Sequence, residues 1–243
     1  MNFGNFVFIN LKHQKMKATL ITGASGGIGA AFAERLAKEK HNLFLVARSE
    51  DKLKKMCEDL STDYKVTALY LAIDLSKAGT DKIIFDETVS KELQVDFLIN
   101  NAGIGSGGDF LEYKLEEYTA MMHLNMDAMV GLMYLFLPQM RSQKLGTIIN
   151  VGSMADFLPL PMGVYAATKG FVKSFTEALW EENRLYNIQT MLLCLGATET
   201  GIFDTAQIGA DGKNSFSTKN METAEDVVDS AMSGLTNKKM VTI

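Results

Sequence analysis

The sequence predicts an α/β fold in which one open, parallel β-sheet carries helices on both faces. Apolar runs of strand length alternate with longer helical patterns, and this rhythm is typical of parallel sheets built from strand–helix–strand units. The chain has 243 residues, of which 47% are hydrophobic and 22% charged, and a soluble core of that size commonly forms one domain. No linker, repeat or low-complexity run interrupts the pattern, so we treat residues 1–243 as a single domain.

The predicted elements follow one another in regular order. Strands are expected at 17–22, 42–47, 66–73, 95–99, 146–151, 188–195 and 240–243. Helices are expected at 30–39, 50–60, 76–92, 114–141, 164–186 and 223–235. Right-handed crossovers place the carboxyl ends of such strands along one edge. Ser25, Asn100, Ser153 and Gly196 each lie just past a strand, so we expect them to meet there.

A glycine-rich loop follows the first strand, with Gly23, Gly27 and Gly29 in the spacing Gly-x3-Gly-x-Gly. Glycines let the backbone turn sharply and approach a pyrophosphate closely, and the following helix N-terminus offers free N–H groups to an anion. A strand, a glycine loop and a helix together predict a dinucleotide site that includes Ser25 and Ile28. The competing interpretation is a turn that binds no ligand.

Arg48 follows the second strand, at the position that distinguishes the two nicotinamide cofactors. An acid there would bind the ribose 2′-hydroxyl of NAD(H), whereas a guanidinium suits the 2′-phosphate of NADP(H). We therefore predict NADP(H), with a solvated surface arginine as the alternative. Glu50 and Asp51 are expected to cap the next helix.

Polar residues also follow the third and fourth strands. Asp74, before Leu75, can pair with an adenine amino group or cap a helix that starts near Ser76; both interpretations stay open. Residues 100–103 (Asn-Asn-Ala-Gly) can join neighbouring backbones, line a cofactor or form a plain loop.

Tyr165 and Lys169 lie four residues apart in a helical segment, so both side chains project from one face. A phenol has a pKa of about 10 and is a poor base at neutral pH, but a nearby ammonium lowers that pKa. Tyr165 can then exchange a proton near neutral pH. Ser153, twelve residues upstream at the end of a strand, can hold the carbonyl or alcohol oxygen that gains or loses the proton.

The long helix at 114–141 is rich in methionine and carries Asn125. The methionines are expected to fill the core or an interface. An asparagine in so apolar a helix is expected to have a buried partner, the alternative being a local carbonyl. His123 is expected to be structural, because no second histidine lies at metal spacing.

Composition excludes several classes of function. The net charge is −5 with both signs interspersed, which argues against nucleic-acid binding and against a basic membrane-binding face. The two cysteines, Cys57 and Cys194, indicate neither a disulfide framework nor a zinc site, which favours the cytoplasm. Residues 1–15 contain an apolar run too short for a membrane span. We interpret them as a flexible extension. The alternative is that translation starts at Met16.

The motifs in combination resemble the short-chain dehydrogenase/reductase family over residues 16–243. They are 22–29 (Thr-Gly-Ala-Ser-Gly-Gly-Ile-Gly), 100–103, Ser153 and Tyr165-x3-Lys169, in the expected order. The resemblance implies a Rossmann fold with a seven-stranded sheet, and a catalytic tetrad of Asn125, Ser153, Tyr165 and Lys169. In that tetrad the tyrosine is the acid/base and the serine orients the substrate. The lysine lowers the tyrosine pKa and binds the nicotinamide ribose, and the asparagine helps to hold a water-linked proton relay.

The resemblance also implies further cofactor contacts. Arg48 matches the NADP-preferring branch, Asp74 matches the adenine-contacting position, and Ile104 lies beside the cofactor. The whole set implied beyond the glycine loop is Arg48, Asp74, Leu75, Asn101, Ala102, Gly103, Ile104, Tyr165, Lys169, Gly196, Thr198 and Thr200. Homodimers or homotetramers through the long helices are implied as well.

One position departs from the family pattern. The family carries Pro-Gly after its sixth strand, where this chain has Leu195-Gly196. Losing the proline removes a fixed φ, which we expect to loosen the loop and alter the nicotinamide contacts. Residues 197–220 are rich in small and polar residues and are interpreted as a substrate lid, or as a loop without a role.

The resulting hypothesis is an NADP(H)-dependent oxidoreductase that acts on a carbonyl or secondary alcohol of an apolar small molecule. The pocket is expected to border Ser153, Met154, Phe157, Leu158 and 197–210. The alternatives are an NADP(H)-binding sensor or scaffold without turnover, and an NAD-linked alcohol dehydrogenase.

Overall fold

The computed structural model describes residues 15–157, 161–196 and 221–243. The N-terminal extension, the interpreted lid with Thr198 and Thr200, and Leu158 therefore lie outside the described residues, apart from Lys15. Seven parallel strands form one sheet in the order β3-β2-β1-β4-β5-β6-β7. They are β1 Met16–Thr22, β2 Leu43–Ala47, β3 Ala68–Ala72, β4 Leu93–Asn100, β5 Gly146–Val151, β6 Ile188–Leu193 and β7 Val241–Thr242. The predicted doubly wound Rossmann sheet is confirmed.

Helices connect these strands and cover both faces of the sheet. They are α1 Gly27–Lys38, α2 Glu50–Tyr64, α3 Thr80–Ser90, α4 Leu115–Met122, α5 Ala128–Gln143, α6 Gly163–Asn183 and α7 Ala224–Thr236. Single 3-10 turns occur at Phe110–Glu112, Met154–Phe157 and Arg184–Tyr186.

Alternation along the strands divides the core between two layers. In β1, Ile21 faces a cluster that includes residues of α1, α2 and α7. Its neighbour Leu20 faces a cluster formed with α3, α5 and α6. Both side chains are completely buried, because successive strand residues point to opposite faces and helices cover each face.

The third helix starts later than predicted, at Thr80 instead of near Ser76. The Asp74 carboxylate accepts hydrogen bonds from the Ser76 backbone N–H (3.0 Å) and hydroxyl (2.8 Å). Lys77 N–H donates to the Asp74 carbonyl at 3.1 Å. Asp74 therefore closes a turn after β3. Of the two interpretations left open for Asp74, the helix cap is wrong, because α3 begins at Thr80 after Gly79.

The predicted helix at 114–141 is a continuous helical run with a π turn, His123–Asp127, between α4 and α5. Within the described part of the chain, the run Leu115–Gln143 is long and apolar enough by length and composition to cross a membrane. Several of its apolar side chains, including Leu132, Met133 and Phe136, are buried in the cluster against the sheet. The methionines are predicted to fill the core or an interface, and Met121, Met129 and Met133 are core residues.

Candidate active site

The residues that the sequence places after strands lie at the carboxyl edge of the sheet. All strands are parallel, so the loops after β1, β2, β3, β4, β5 and β6 open on the same side. The two strands at the centre, β1 and β4, are neighbours although they are distant in sequence. The loops that follow them meet at the point where the strand order reverses, which is where α/β folds bind ligands.

Two glycines of the loop after β1 have a positive φ, and a third, Gly29, has no room for a side chain. Gly23 has a φ of +67° and Gly27 a φ of +53°, which glycine adopts without strain. A Cβ on Gly29 would lie 2.3 Å from the Gly23 carbonyl oxygen and 2.7 Å from the Asn101 amide nitrogen. α1 begins after Gly26 with no side-chain cap and no acid in its first turn. Its N-terminus therefore suits an anion such as a pyrophosphate.

The tandem asparagines after β4 join neighbouring backbones. The Asn101 amide donates to the carbonyls of Thr22 (2.9 Å) and Gly23 (3.3 Å), which holds the glycine loop against β4. Asn100 donates to the Asn150 side chain on β5 at 2.8 Å. Of the interpretations left open for residues 100–103, the joining of neighbouring backbones is observed. The backbone from Asn101 to Gly103 lies at the carboxyl edge of the sheet, where it can contact a cofactor.

Thr22 is a residue of the site that the sequence did not single out. Its hydroxyl accepts hydrogen bonds from the backbone N–H groups of Asn101 and Ala102, each at 3.0 Å, and donates to the Ile99 carbonyl at 3.3 Å. A single buried hydroxyl thus joins the loop after β1 to the loop after β4. A threonine directly before the first glycine was the available signal.

Arg48 and Asp74 lie at the outer part of the same edge. Arg48 is exposed, and its guanidinium has no hydrogen-bond or ion-pair partner among the described residues, so it is available to a phosphate. The pKa of Asp74 is lowered by the hydrogen bond from the Ser76 hydroxyl, with smaller contributions from the Ser76 backbone and the Arg48 charge. Leu75, the next residue, is buried.

Tyr165 and Lys169 lie one turn apart in α6, and both are buried. The Lys169 ammonium lies 5.9 Å from the centroid of the Tyr165 ring and donates to the Val151 carbonyl at 2.8 Å. Burial lowers the pKa of Lys169 from 10.5 to about 8. The predicted projection of both side chains from one helix face is therefore observed.

Asn125, in the π turn, connects the tetrad to the loop after β4. Its side chain accepts from the Ile104 backbone N–H (3.0 Å) and donates to the Ile104 carbonyl (2.9 Å) and the Thr168 hydroxyl (3.0 Å). A Cβ on Gly103 would lie 3.2 Å from Asn125 Oδ1 and 3.6 Å from Lys169 Nζ. The expected buried partner is confirmed, and the alternative of a local carbonyl alone is wrong.

Ser153 follows β5 and is half-buried. Its hydroxyl oxygen accepts from the Ala155 N–H at 3.1 Å, which starts the turn Met154–Phe157. The Met154 N–H donates to the Leu195 carbonyl at 2.8 Å and so ties this turn to the end of β6. A proline at position 195 would have the same backbone carbonyl. The hydrogen bond from Met154 is therefore unaffected by the leucine that this chain has in place of the family's proline.

An apolar cluster surrounds the tyrosine. Tyr165 packs with Tyr118, Met121, Ala155 and Met162, and Ile104, Tyr113 and Val164 lie against them. A Cβ on Gly105 would lie 3.7 Å from the Tyr165 ring. Phe157, which we predict to border the pocket, is 49% exposed and lies under the Lys173 ammonium at 4.5 Å. The described surroundings of Tyr165 are therefore mainly apolar.

The described residues contain no cluster of side chains that could hold a metal ion. His123 pairs with Asp127 on its own helical turn at 2.5 Å, which agrees with a structural role. Cys57 and Cys194 are buried, and neither forms a disulfide within the described residues. Burial raises the pKa of Cys57 to about 11.

A family model described as short chain dehydrogenase matches residues 17–210. The chain is 32% identical over 219 residues to the 7beta-hydroxysteroid dehydrogenase of Mediterraneibacter gnavus, covering 89% of this chain and 81% of that protein. It is 32% identical over 233 residues to the NADP-dependent 3-hydroxy acid dehydrogenase of Schizosaccharomyces pombe, covering 93% and 90%. Among solved structures, the short-chain dehydrogenase from Sphingobium yanoikuyae in complex with NADPH has a TM-score of 0.86 and 31% identity, covering 93% of this chain and 87% of that one.

Proposed function

The chain belongs to the short-chain dehydrogenase family, and we propose that it uses NADP(H) to interconvert a carbonyl and a secondary alcohol in an apolar small molecule. The observation that carries this proposal is the buried pair of Tyr165 and Lys169 beside the loop after β4. NADP(H) is favoured because Arg48 is exposed at the edge and forms no hydrogen bond or ion pair with the described residues. It is also favoured because two similar proteins are named for NADP or NADPH.

The cofactor fits the residues at the carboxyl edge. The glycine loop leaves no room for side chains where Gly29 meets the Gly23 carbonyl, and the uncapped N-terminus of α1 lies next to it. Gly23 to Gly29 would hold the pyrophosphate, Arg48 with Ser25 the 2′-phosphate, and Asp74 the adenine. When bound, NADPH supplies the hydride that reduces the carbonyl carbon.

The chain itself supplies proton transfer and alignment. In the reducing direction Tyr165 donates its phenolic proton to the carbonyl oxygen, and in the oxidising direction it accepts a proton from the alcohol. The Lys169 ammonium favours the phenolate that remains. Ser153 donates its hydroxyl hydrogen to the substrate oxygen and orients it. Asn125 holds Ile104 and Thr168 in place, and we carry over its part in the water-linked proton relay from the family.

The assignment of Tyr165 is tested by two variants with different expected outcomes. Tyr165→Phe should keep NADPH affinity, measured by fluorescence titration, but lose most turnover with any active carbonyl, because only the proton donor is removed. Lys169→Ala should lose turnover and also weaken NADPH binding. A near-wild-type rate in Tyr165→Phe would remove the proton-transfer role. Tight NADPH binding by the wild type with no turnover on a broad carbonyl panel would favour the sensor instead.

The proposal also covers the cellular compartment and the assembly of the enzyme. A chain with two cysteines and no disulfide framework suits the cytoplasm, and the net charge of −5 does not suit nucleic acid. We propose a homodimer or homotetramer formed through the long helices, where Tyr134 of α5 and Phe171 of α6 are exposed to 79% and 40%.

A further inference from the structure

The strand β3 forms one edge of the sheet. All five of its residues are half-buried, whereas those of its neighbour β2 are all buried. A groove of about 680 Å³ is lined by α2, by β3 and by Lys91, which follows α3. An edge strand that is open in this way can pair with a further strand.

The hydrogen bonds between β2 and β3 show which backbone groups of β3 face outward. Leu43 N–H donates to the Thr67 carbonyl at 2.9 Å, and Ile73 N–H donates to the Ala47 carbonyl at 2.8 Å. In a parallel ladder every second residue bonds the neighbouring strand. The residues between them therefore point their N–H and C=O groups away from β2. They are Ala68, Tyr70 and Ala72.

Most of these outward groups are unsatisfied. Ala68 N–H donates to the Ser61 hydroxyl at 3.3 Å. The outward N–H and C=O groups of Tyr70 and Ala72 have no hydrogen-bond partner within residues 15–157, 161–196 and 221–243. β3 also contains none of the charges, prolines or bulges that commonly protect an edge strand.

The sequence of β3 is the same in both directions about Tyr70, namely Ala-Leu-Tyr-Leu-Ala. If two copies of β3 pair antiparallel about a two-fold axis at Tyr70, Ala68 lies opposite the partner's Ala72 and Leu69 opposite the partner's Leu71. Such self-complementarity is what a two-fold contact requires. In this register the outward N–H groups of Tyr70 and Ala72 donate to the partner's Tyr70 and Ala68 carbonyls.

Charges on α2 match in the same arrangement. The hydrogen bond from Ala68 to Ser61 fixes the level of α2 against β3. With a rise of about 1.5 Å per helix residue and about 3.3 Å per strand residue, Glu58 lies about 2 Å below the level of Tyr70 and Lys54 about 4 Å above it. Both side chains are exposed and line the groove. A two-fold axis at Tyr70 therefore brings each Lys54 level with the partner's Glu58.

We propose that β3 is a docking edge for a second copy of this chain, which adds its own β3 antiparallel about a two-fold axis at Tyr70. The sheets of the two copies then form one continuous sheet. This contact is separate from the one through the long helices α5 and α6, and it does not depend on the proposed enzymatic activity.

Ala72→Pro tests the pairing, because proline lacks the N–H that donates to the partner. That N–H takes no part in the ladder with β2, so the variant should keep its fold, which urea denaturation checks. Light scattering over a range of protein concentrations should give Ala72→Pro half the molar mass of the assembled wild type. Ala72→Ser retains the N–H and is the matched control, with the mass of the wild type.

Hydrogen exchange measured by NMR gives a second readout that needs no variant. The amides of Tyr70 and Ala72 should exchange about tenfold or more slowly in concentrated than in dilute wild-type protein, because the pairing protects them. The amide of Leu71 faces β2 and should be slow at both concentrations. Tyr134→Glu, which is directed at the long helices, should leave the protection of Tyr70 and Ala72 unchanged.

A charge exchange tests the register. Lys54→Glu places a carboxylate against the partner's Glu58 and should raise the concentration needed for assembly several-fold. Adding Glu58→Lys should restore the wild-type value, since the two charges then match again. Failure of the double variant to recover would contradict the axis at Tyr70.

The inference is overturned if folded Ala72→Pro has the molar mass of the wild type, or if the amides of Tyr70 and Ala72 exchange fast at every concentration. Slow exchange of both amides in a protein of monomeric mass would also overturn it, because another segment of the same chain would then cover the edge. If Ala72→Pro does not fold, the exchange measurement on the wild type decides alone.

Discussion

At the scale of single residues, the ammonium of Lys169 lies in a position that disfavours its charge. Its side chain is 4% exposed, and its nitrogen donates a hydrogen bond to the backbone carbonyl of Val151. Burial lowers its pKa from 10.5 to about 8, since the charged form is poorly solvated there. Such perturbed groups are common at functional sites.

This shift predicts a pH dependence of stability. Between pH 8 and pH 10.5 the unfolded chain holds the Lys169 proton more tightly than the folded protein does, so the free energy of unfolding rises with pH through that window. Below pH 8 both states are protonated and the contribution is constant. Urea denaturation measures the free energy of unfolding of the wild type and of Lys169→Met. From pH 8 to pH 10.5, we expect the value for the wild type to rise by roughly 3 kcal/mol relative to that for Lys169→Met.

The matched control for this measurement is Lys54→Met, because Lys54 is exposed on α2. The difference in the free energy of unfolding between Lys54→Met and the wild type should stay constant across the same pH range. A level difference for Lys169→Met as well would mean that the ammonium is better solvated than its burial indicates.

Arg48 carries the prediction of cofactor preference. Arg48→Asp should lower NADPH affinity by roughly 10- to 100-fold, because a charge-assisted contact to the 2′-phosphate is replaced by repulsion. NADH affinity should rise, since a carboxylate accepts a hydrogen bond from the ribose 2′-hydroxyl. Fluorescence titration with both cofactors measures the change, with Lys54→Asp as a control of equal charge. Unchanged NADPH affinity in Arg48→Asp would make Arg48 a plain surface residue.

At the scale of elements, glycines set how closely helices approach the sheet. Gly234 of α7 faces Thr242 of β7, and a Cβ on Gly234 would lie 2.1 Å from the Thr242 hydroxyl oxygen and 3.1 Å from the Met191 sulfur. The last helix therefore packs on the edge strand through a position that has no side chain.

Gly234→Ala is expected to destabilise the protein by about 1–3 kcal/mol, because the new methyl group overpacks this contact. Adding Thr242→Ala should recover part of the loss, since it removes the nearest atom. Gly163→Ala, at the start of α6 with nothing within 4 Å of its Cβ position, is the control and should be neutral or slightly stabilising. Urea denaturation measures all four proteins. Equal effects at both glycines would contradict the packing argument.

At the scale of the whole molecule, one sheet brings distant parts of the chain to a single edge. The hydrogen bonds that assemble the site join Thr22 to Asn101, Ile104 to Asn125, and Asn125 to Thr168. The outer faces of the long helices are left with exposed aromatic side chains, including Tyr134. These faces are the ones that we expect to assemble.

Light scattering should give a wild-type molar mass that is two or four times the 26.8 kDa of one chain. Tyr134→Glu and Phe171→Glu should reduce it, because burying an unpaired carboxylate in an interface is costly. A wild-type mass of 26.8 kDa would overturn the proposed assembly.

The sequence by itself determined the class of fold and the candidates for chemistry. Strand and helix periods, the glycine loop and the Tyr165–Lys169 spacing are local patterns, and the backbone converts each into geometry over a few residues. The parallel seven-stranded sheet and the family are confirmed. The roles of the individual site residues stay predictions.

Only the tertiary structure decided which groups meet. It joined Asn125 to Ile104, assigned Thr22 to the two loops, placed Asp74 in a turn ahead of α3, and connected the exposed Phe110 to the surroundings of Tyr165. The turn at Asp74 is local, but the contacts of Thr22 and Asn125 depend on strand order and helix packing between residues that are far apart in the chain. No local period encodes them, because hydrogen bonds and ring contacts of this kind form only when the whole sheet is assembled.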